Sequence, residues 1–85
     1  MQTHHIKLNQ NYCKAVYDGE KTFEIRYNDR GYQKGDRVYF TPVDDEGCAI
    51  PHPVARCTYE IAYVLSGWGL KENWCAFGIR PLENK

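Results

Sequence analysis

The chain has 85 residues, 42% of them hydrophobic and 14% aromatic, which suits one small domain with a single core and excludes a disordered segment. Its 11 basic and 11 acidic side chains cancel. That balance excludes broad duplex coating, which draws its affinity from a basic excess, so any nucleic-acid contact is expected to be short and local.

His4-His5-Ile6-Lys7-Leu8 alternates and predicts a short first strand with Ile6 and Leu8 inward. Asn9 or Asn11 then offers a side-chain oxygen to cap a helix. The helix runs to about Tyr17, with Tyr12, Cys13, Val16 and Tyr17 along one stripe. Gly19 ends it by supplying a left-handed residue. A helix of about eight residues does not persist alone, so it is expected to dock on the sheet.

Residues 19–37 carry most of the functional signal. They hold Lys21, Arg26, Arg30, Lys34 and Arg37 together with Glu20, Glu24, Asp29 and Asp36, and Gly19, Gly31 and Gly35 punctuate them. Phe23, Ile25 and Tyr27 alternate through this charged stretch. The spacing predicts a strand over 22–27 with those three in the core and Glu24, Arg26 and Asn28 on the opposite face. A turn-rich stretch follows to Asp36.

Alternation resumes over 37–43, with Val38 and Phe40 inward and Tyr39 and Thr41 outward; Pro42 limits how far this strand pairs centrally. Asp44-Asp45-Glu46-Gly47 reads as a solvated turn and Pro51-His52-Pro53 as extended loop. The longest strand is predicted over 54–65, with Ala55, Cys57, Tyr59, Ile61, Tyr63 and Leu65 as its apolar set. Ser66-Gly67-Trp68-Gly69 breaks it. A last strand over 74–80 turns Cys75, Phe77 and Ile79 inward before Pro81. Five short strands and one helix near the start predict an α+β, mostly β domain spanning residues 1–85, a small five-to-six-stranded barrel that is closed or nearly so.

The candidate site grows from Glu24 and Arg26, two apart on a strand and so on one face, with Cα atoms about 6.5–7 Å apart. They make either a surface ion pair worth under about 1 kcal/mol or part of a binding face. Lys21 before the strand and Asn28, Asp29 and Arg30 after it favour the second reading, since guanidinium groups suit phosphates and base edges. His5, on the polar face of the first strand beside Lys7, joins the cluster if the two strands are neighbours. Trp68 between glycines is either a stacking platform for a base or a ring folded onto the core. Glu60 faces either a cleft or solvent.

Cys13, Cys48, Cys57 and Cys75 form no C-x-x-C or Cys/His cluster, so neither zinc nor any other cofactor is expected. Without a signal-like start they read as reduced, with Cys13, Cys57 and Cys75 filling the core. No apolar run reaches a membrane span of roughly 18 residues, so a cytoplasmic protein is expected. No nucleophile–base set stands out.

Gly19-x-Lys21-x-x-Glu24-x-Arg26 resembles the G-x-K-x-x-E-x-R signature of the ASCH superfamily, small barrels related to the PUA fold. The match extends through His5-x-x-Leu8, Tyr12, the run from Lys21 to Asp36 and Tyr63 to Leu70, and is similar to a bacterial and phage ASCH-like family of unknown function. The resemblance implies a cleft lined by the motif and a role in binding RNA. It directs attention to His5, Lys21, Glu24, Arg26, Asn28, Asp29, Arg30 and Trp68 as contacts for single-stranded RNA or a nucleotide. Some ASCH-like proteins hydrolyse acetylated cytidine nucleosides with the motif lysine, a threonine three residues later and a separate glutamate. Lys21 fits that scheme, with Glu24 or Glu60 as proton shuttles. The threonine position, however, is Glu24, which cannot supply the same hydroxyl, and Thr22 lies in the other strand phase. A host-protein interaction module is the third expectation.

Overall fold

Asn9 sits in extended backbone and its side-chain oxygen accepts from the Asn11 N–H at 2.9 Å, so it separates the first strand from the helix. In the computed structural model, which describes residues 1–82, β1 (Thr3–Asn9) leads into α1 (Gln10–Tyr17). Then come β2 (Phe23–Tyr27), β3 (Arg37–Val43), a 3₁₀ turn (Pro53–Arg56), β4 (Tyr59–Ser66) and β5 (Trp74–Pro81). Gly19, at φ +81°, turns the chain after the helix. No helix among the described residues is long and apolar enough to cross a membrane.

The five strands form one mixed sheet in the order β1-β3-β4-β5-β2. β1 lies parallel to β3 along its whole length, whereas β3 and β4 meet only at Arg37↔Glu60 and Val38↔Tyr59. Pro42 therefore sits where β4 has already diverged, and its missing N–H costs no ladder bond on that side. β5 pairs antiparallel with β4 on one side and with β2, from earlier in the chain, on the other. One core unites Ile6 and Leu8, Cys13 and Val16 of the helix, Val38 and Phe40, Ile61, and Cys75 and Phe77. Cys57 packs at its edge.

The sheet is not closed into a barrel, contrary to the sequence expectation. β1 and β2 are its two edges, and they face each other without a ladder. Charged side chains reach between them and satisfy edge carbonyls that backbone pairing would otherwise serve.

Two phases also differ from expectation. In β2 the alternation is real but the faces are reversed. Glu24 is 3% exposed, while Phe23, Ile25 and Tyr27 stand about half exposed at 48%, 50% and 51%. Glu24 and Arg26 lie opposite the core residues Phe77 and Cys75. A period-2 pattern gives two faces but does not say which is covered; here β5 and the edge of β1 decide. In β4, Val54–Arg56 forms the 3₁₀ turn instead, opened by Pro53 and capped by His52, whose Nδ1 accepts from the Val54 N–H at 3.0 Å. The register then slips by one between Ile61 and Tyr63. This bulge switches the strand's phase. Tyr59 and Ile61 are buried as expected, but Tyr63 and Leu65 turn outward and Val64 takes the core side.

A buried polar clamp ties the start of the chain to the loop before β3. Asp36 Oδ2 accepts from His4 Nε2 at 2.8 Å and from the Gln33 N–H at 3.1 Å, and Oδ1 accepts from the Gln2 N–H at 3.0 Å. The His4 ring also packs on Tyr32, centroids 4.7 Å apart. Burial alone would push the Asp36 carboxyl upward, yet the donors from Gln2, His4 and Gln33 together hold it below the usual carboxylate range.

Candidate functional site

Because β2 turns its charged face inward at the sheet's open seam, the motif side chains gather there. Glu24 Oε2 accepts from Lys21 Nζ at 2.6 Å. Glu24 Oε1 accepts from Arg26 Nε at 3.0 Å, with Arg26 Nη2 at 2.9 Å. A carboxylate this enclosed needs such partners, since an unpaired buried charge is costly. Both of its oxygens already face cations, so its role is to hold Lys21 and Arg26 in place.

Lys21 is further fixed by the Phe23 carbonyl at 2.8 Å, and its ammonium lies 4.9 Å from the Phe23 ring centre and 5.3 Å from that of Tyr12. Arg26 Nη2 crosses the seam to the Lys7 carbonyl at 2.5 Å, and Arg30 Nη1 reaches the His5 carbonyl at 2.8 Å. Two arginines thus bridge the strand edges. Arg26 Nη1 and the remaining two nitrogens of Arg30 have no protein partner among the described residues, which leaves donors for a ligand.

Around these groups lies a cleft of about 810 Å³. Lys21, Glu24, Arg26, Asp29 and Arg30 line it, as do the aromatic rings of Tyr12, Tyr27, Tyr32 and Trp74. Ile6, Leu8 and Val43 add apolar surface. Burial pushes the Tyr32 phenol up, only partly offset by Arg30 and Arg26, so Tyr32 is a neutral wall of the cleft. The cleft thus offers cationic donors beside aromatic faces, the combination that suits an anionic or planar ligand. Among the described residues no cluster of three or more His, Cys, Asp or Glu side chains could hold a metal ion.

Five of the sequence candidates therefore meet: Lys21, Glu24, Arg26, Asp29 and Arg30. Asn28 does not line the cleft; its Oδ1 accepts from the Tyr32 N–H at 3.0 Å and shapes the following loop. His5 contributes its carbonyl to Arg30, but its ring stacks on Tyr39, centroids 5.3 Å apart, away from the cleft. Glu60 accepts from Arg80 Nε at 3.1 Å and is not part of the lining. Trp68 is 88% exposed and also outside it. Gly67, Trp68 and Gly69 all have left-handed backbone, at φ +76°, +54° and +88°, which holds the ring clear of the core.

Sequence reasoning missed Tyr12, Tyr27, Tyr32 and Trp74 as lining residues, Tyr27 because it was assigned to the core. Tyr12 was legible as part of a helical stripe and of the motif resemblance but not as cleft lining, and Tyr32 as one aromatic in a turn-rich stretch. Trp74 lay at a strand start whose partner was unknown.

No curated protein matches the chain. Among solved structures, the crystal structure of hypothetical protein PH0355 is similar, with a TM-score of 0.61 and 16% identity over 96% of this chain and 100% of that one. At that identity the likeness is one of fold alone. The model of a family described as a domain of unknown function (DUF3850) matches residues 3–79. The chain therefore belongs to the DUF3850 family.

Proposed function

We propose that the cleft between β1 and β2 binds a nucleotide or a short segment of single-stranded RNA. The observation that carries this reading is the enclosed Glu24 carboxylate, which holds Lys21 and Arg26 at 2.6 and 2.9 Å on the wall of a cleft of about 810 Å³. Pre-positioned cations suit a phosphate or a base edge, and Tyr12 beside Lys21 offers a face on which a base can stack. The motif's likeness to the ASCH signature and its PUA-like relatives supports the same proposal, as does the neutral overall charge, which suits a small local contact over a long phosphate track.

The hydrolase alternative finds less support. Glu60 stands outside the cleft, no hydroxyl occupies the Glu24 position, and Glu24 itself is engaged by two cations. That reading would rest on Lys21 alone.

The test is a titration of short labelled RNA and of mononucleotides at low salt against wild type, Lys21→Ala and Arg26→Ala. Saturable binding to wild type is expected, weakened roughly 5- to 50-fold in each variant, the range of one lost charged hydrogen bond. Equal affinity for all three proteins, or no saturation, contradicts the proposal.

A further inference from the structure

Asp29 and Arg30 occupy the tip of a pinned turn after β2. On one side the Asn28 N–H donates to the Asn73 carbonyl at 2.8 Å, and the Asn28 side chain accepts from the Tyr32 N–H at 3.0 Å. On the other, Gly31 turns the chain back at φ +66°, and Tyr32 is buried against His4 and Phe77, each with its ring centroid 4.7 Å away. Between these anchors Asp29 and Arg30 are exposed, and both line the cleft. Two carboxylates line that cleft, Glu24 and Asp29. Glu24 is spent on Lys21 and Arg26, whereas the Asp29 carboxylate has no hydrogen-bond or ion-pair partner among the described residues. Arg30 gives Nη1 to the His5 carbonyl and keeps Nε and Nη2, the paired donors on one side of its fork. Arg26 is tied to the Lys7 carbonyl, two residues further along β1, so the two arginine anchors sit about 7 Å apart.

We propose that the cleft selects guanine, with Asp29 and Arg30 reading the base; this rests on the cleft binding a nucleotide or short RNA. A free carboxylate beside a phosphate site costs affinity unless the ligand brings donors to it. Ionised, it offers only acceptors, so it favours a base edge with donors side by side. Guanine alone among the four bases has such an edge, where N1–H and the N2 amino group lie together. Adenine and cytosine set one amino group beside a ring nitrogen that repels the carboxylate, and uracil sets N3–H between two carbonyl oxygens. The neighbouring guanine edge carries two acceptors, O6 and N7, which match the two free nitrogens of Arg30. O6 adjoins N1 on the ring, so adjacent residues of one turn suffice to meet both edges. Arg26 Nη1 and Lys21, fixed by Glu24, are then left for the phosphate.

Calorimetric titration of the whole chain at low salt with GMP, dGMP, IMP, AMP, CMP and UMP decides the matter. GMP and dGMP are expected to bind at least about tenfold more tightly than AMP, CMP and UMP, with IMP, which lacks the N2 amino group, in between. Asp29→Asn keeps the shape but turns one acceptor into a donor. It is expected to lose the guanine preference while AMP, CMP and UMP bind it at least as well as wild type. Asp29 is exposed and its side chain has no partner to lose, so the variant's circular dichroism is expected to be unchanged. Equal affinity of wild type for all the nucleotides overturns the guanine assignment and leaves the cleft proposal standing. Weak dGMP binding by wild type, with a loss shared by every ribonucleotide in Asp29→Asn, gives the carboxylate to ribose hydroxyls and overturns the assignment too. No saturable binding of any nucleotide overturns both.

Discussion

Glu24→Ala is expected to destabilise the protein by about 2–4 kcal/mol, more than any other single change at the cleft. The carboxylate is nearly fully buried, whereas Lys21 and Arg26 keep side-chain exposures of 19% and 27%. Removing Glu24 leaves two cations facing each other across a void at the mouth of the core. Because both cations can partly rehydrate, the loss stays below that of a fully buried pair. Arg26→Ala should cost less, since Glu24 would keep Lys21 and the opened cleft would admit water. Thermal unfolding followed by circular dichroism checks this ordering; a loss of 2–4 kcal/mol in a domain this small lowers Tm by roughly 10–25 °C. A Glu24→Ala protein as stable as wild type would mean that the carboxylate holds nothing together.

The second large effect lies at Asp36, away from the cleft. Asp36→Ala is expected to cost about 3 kcal/mol, because the Gln2 and Gln33 N–H groups and the His4 ring nitrogen all lose a buried acceptor. The pH dependence has a definite sign. The folded-state pKa lies below the ordinary value of 3.8. The clamp's contribution is therefore fully present above pH 3.8 and is lost as the pH falls through the lower folded value. Urea unfolding at neutral pH and again near pH 3 should show the gap between wild type and Asp36→Ala narrowing in acid. A gap that widens in acid would contradict the assignment.

Local chemistry was well written in the sequence. Asn9 as cap, Gly19 as helix stop, the turn at Asp44–Gly47 and the span of β3 all follow from side chains acting on their own backbone. Which face of each strand is covered was less legible. Glu24, Arg26 and the alternating Phe23, Ile25 and Tyr27 define two faces, and the usual preference puts the apolar one inside. Here an enclosed carboxylate with two cations outcompetes it, because the seam with β1 needs donors for the Lys7 and His5 carbonyls. The bulge after Ile61 was invisible for a related reason: the odd positions stay apolar to Leu65, so the slip leaves no mark in the pattern. The part played by His4 left no mark in the sequence, since its partner Asp36 is 32 positions away. The candidate site was legible where the motif is continuous, at Lys21, Glu24, Arg26, Asp29 and Arg30. His5, Asn28, Glu60 and Trp68 do not line this cleft, and their placement depends on strand order and loop geometry.

The proposed role of the cleft depends on Lys21 and Arg26 being held ready for a ligand by a carboxylate that water scarcely reaches. Amide and side-chain chemical-shift mapping with a panel of nucleotides and short RNAs tests this most directly. The predicted result is a saturable shift confined to Tyr12, Lys21, Arg26, Arg30 and their neighbours on β1. Shifts centred on Trp68, or none with any nucleotide, would contradict it.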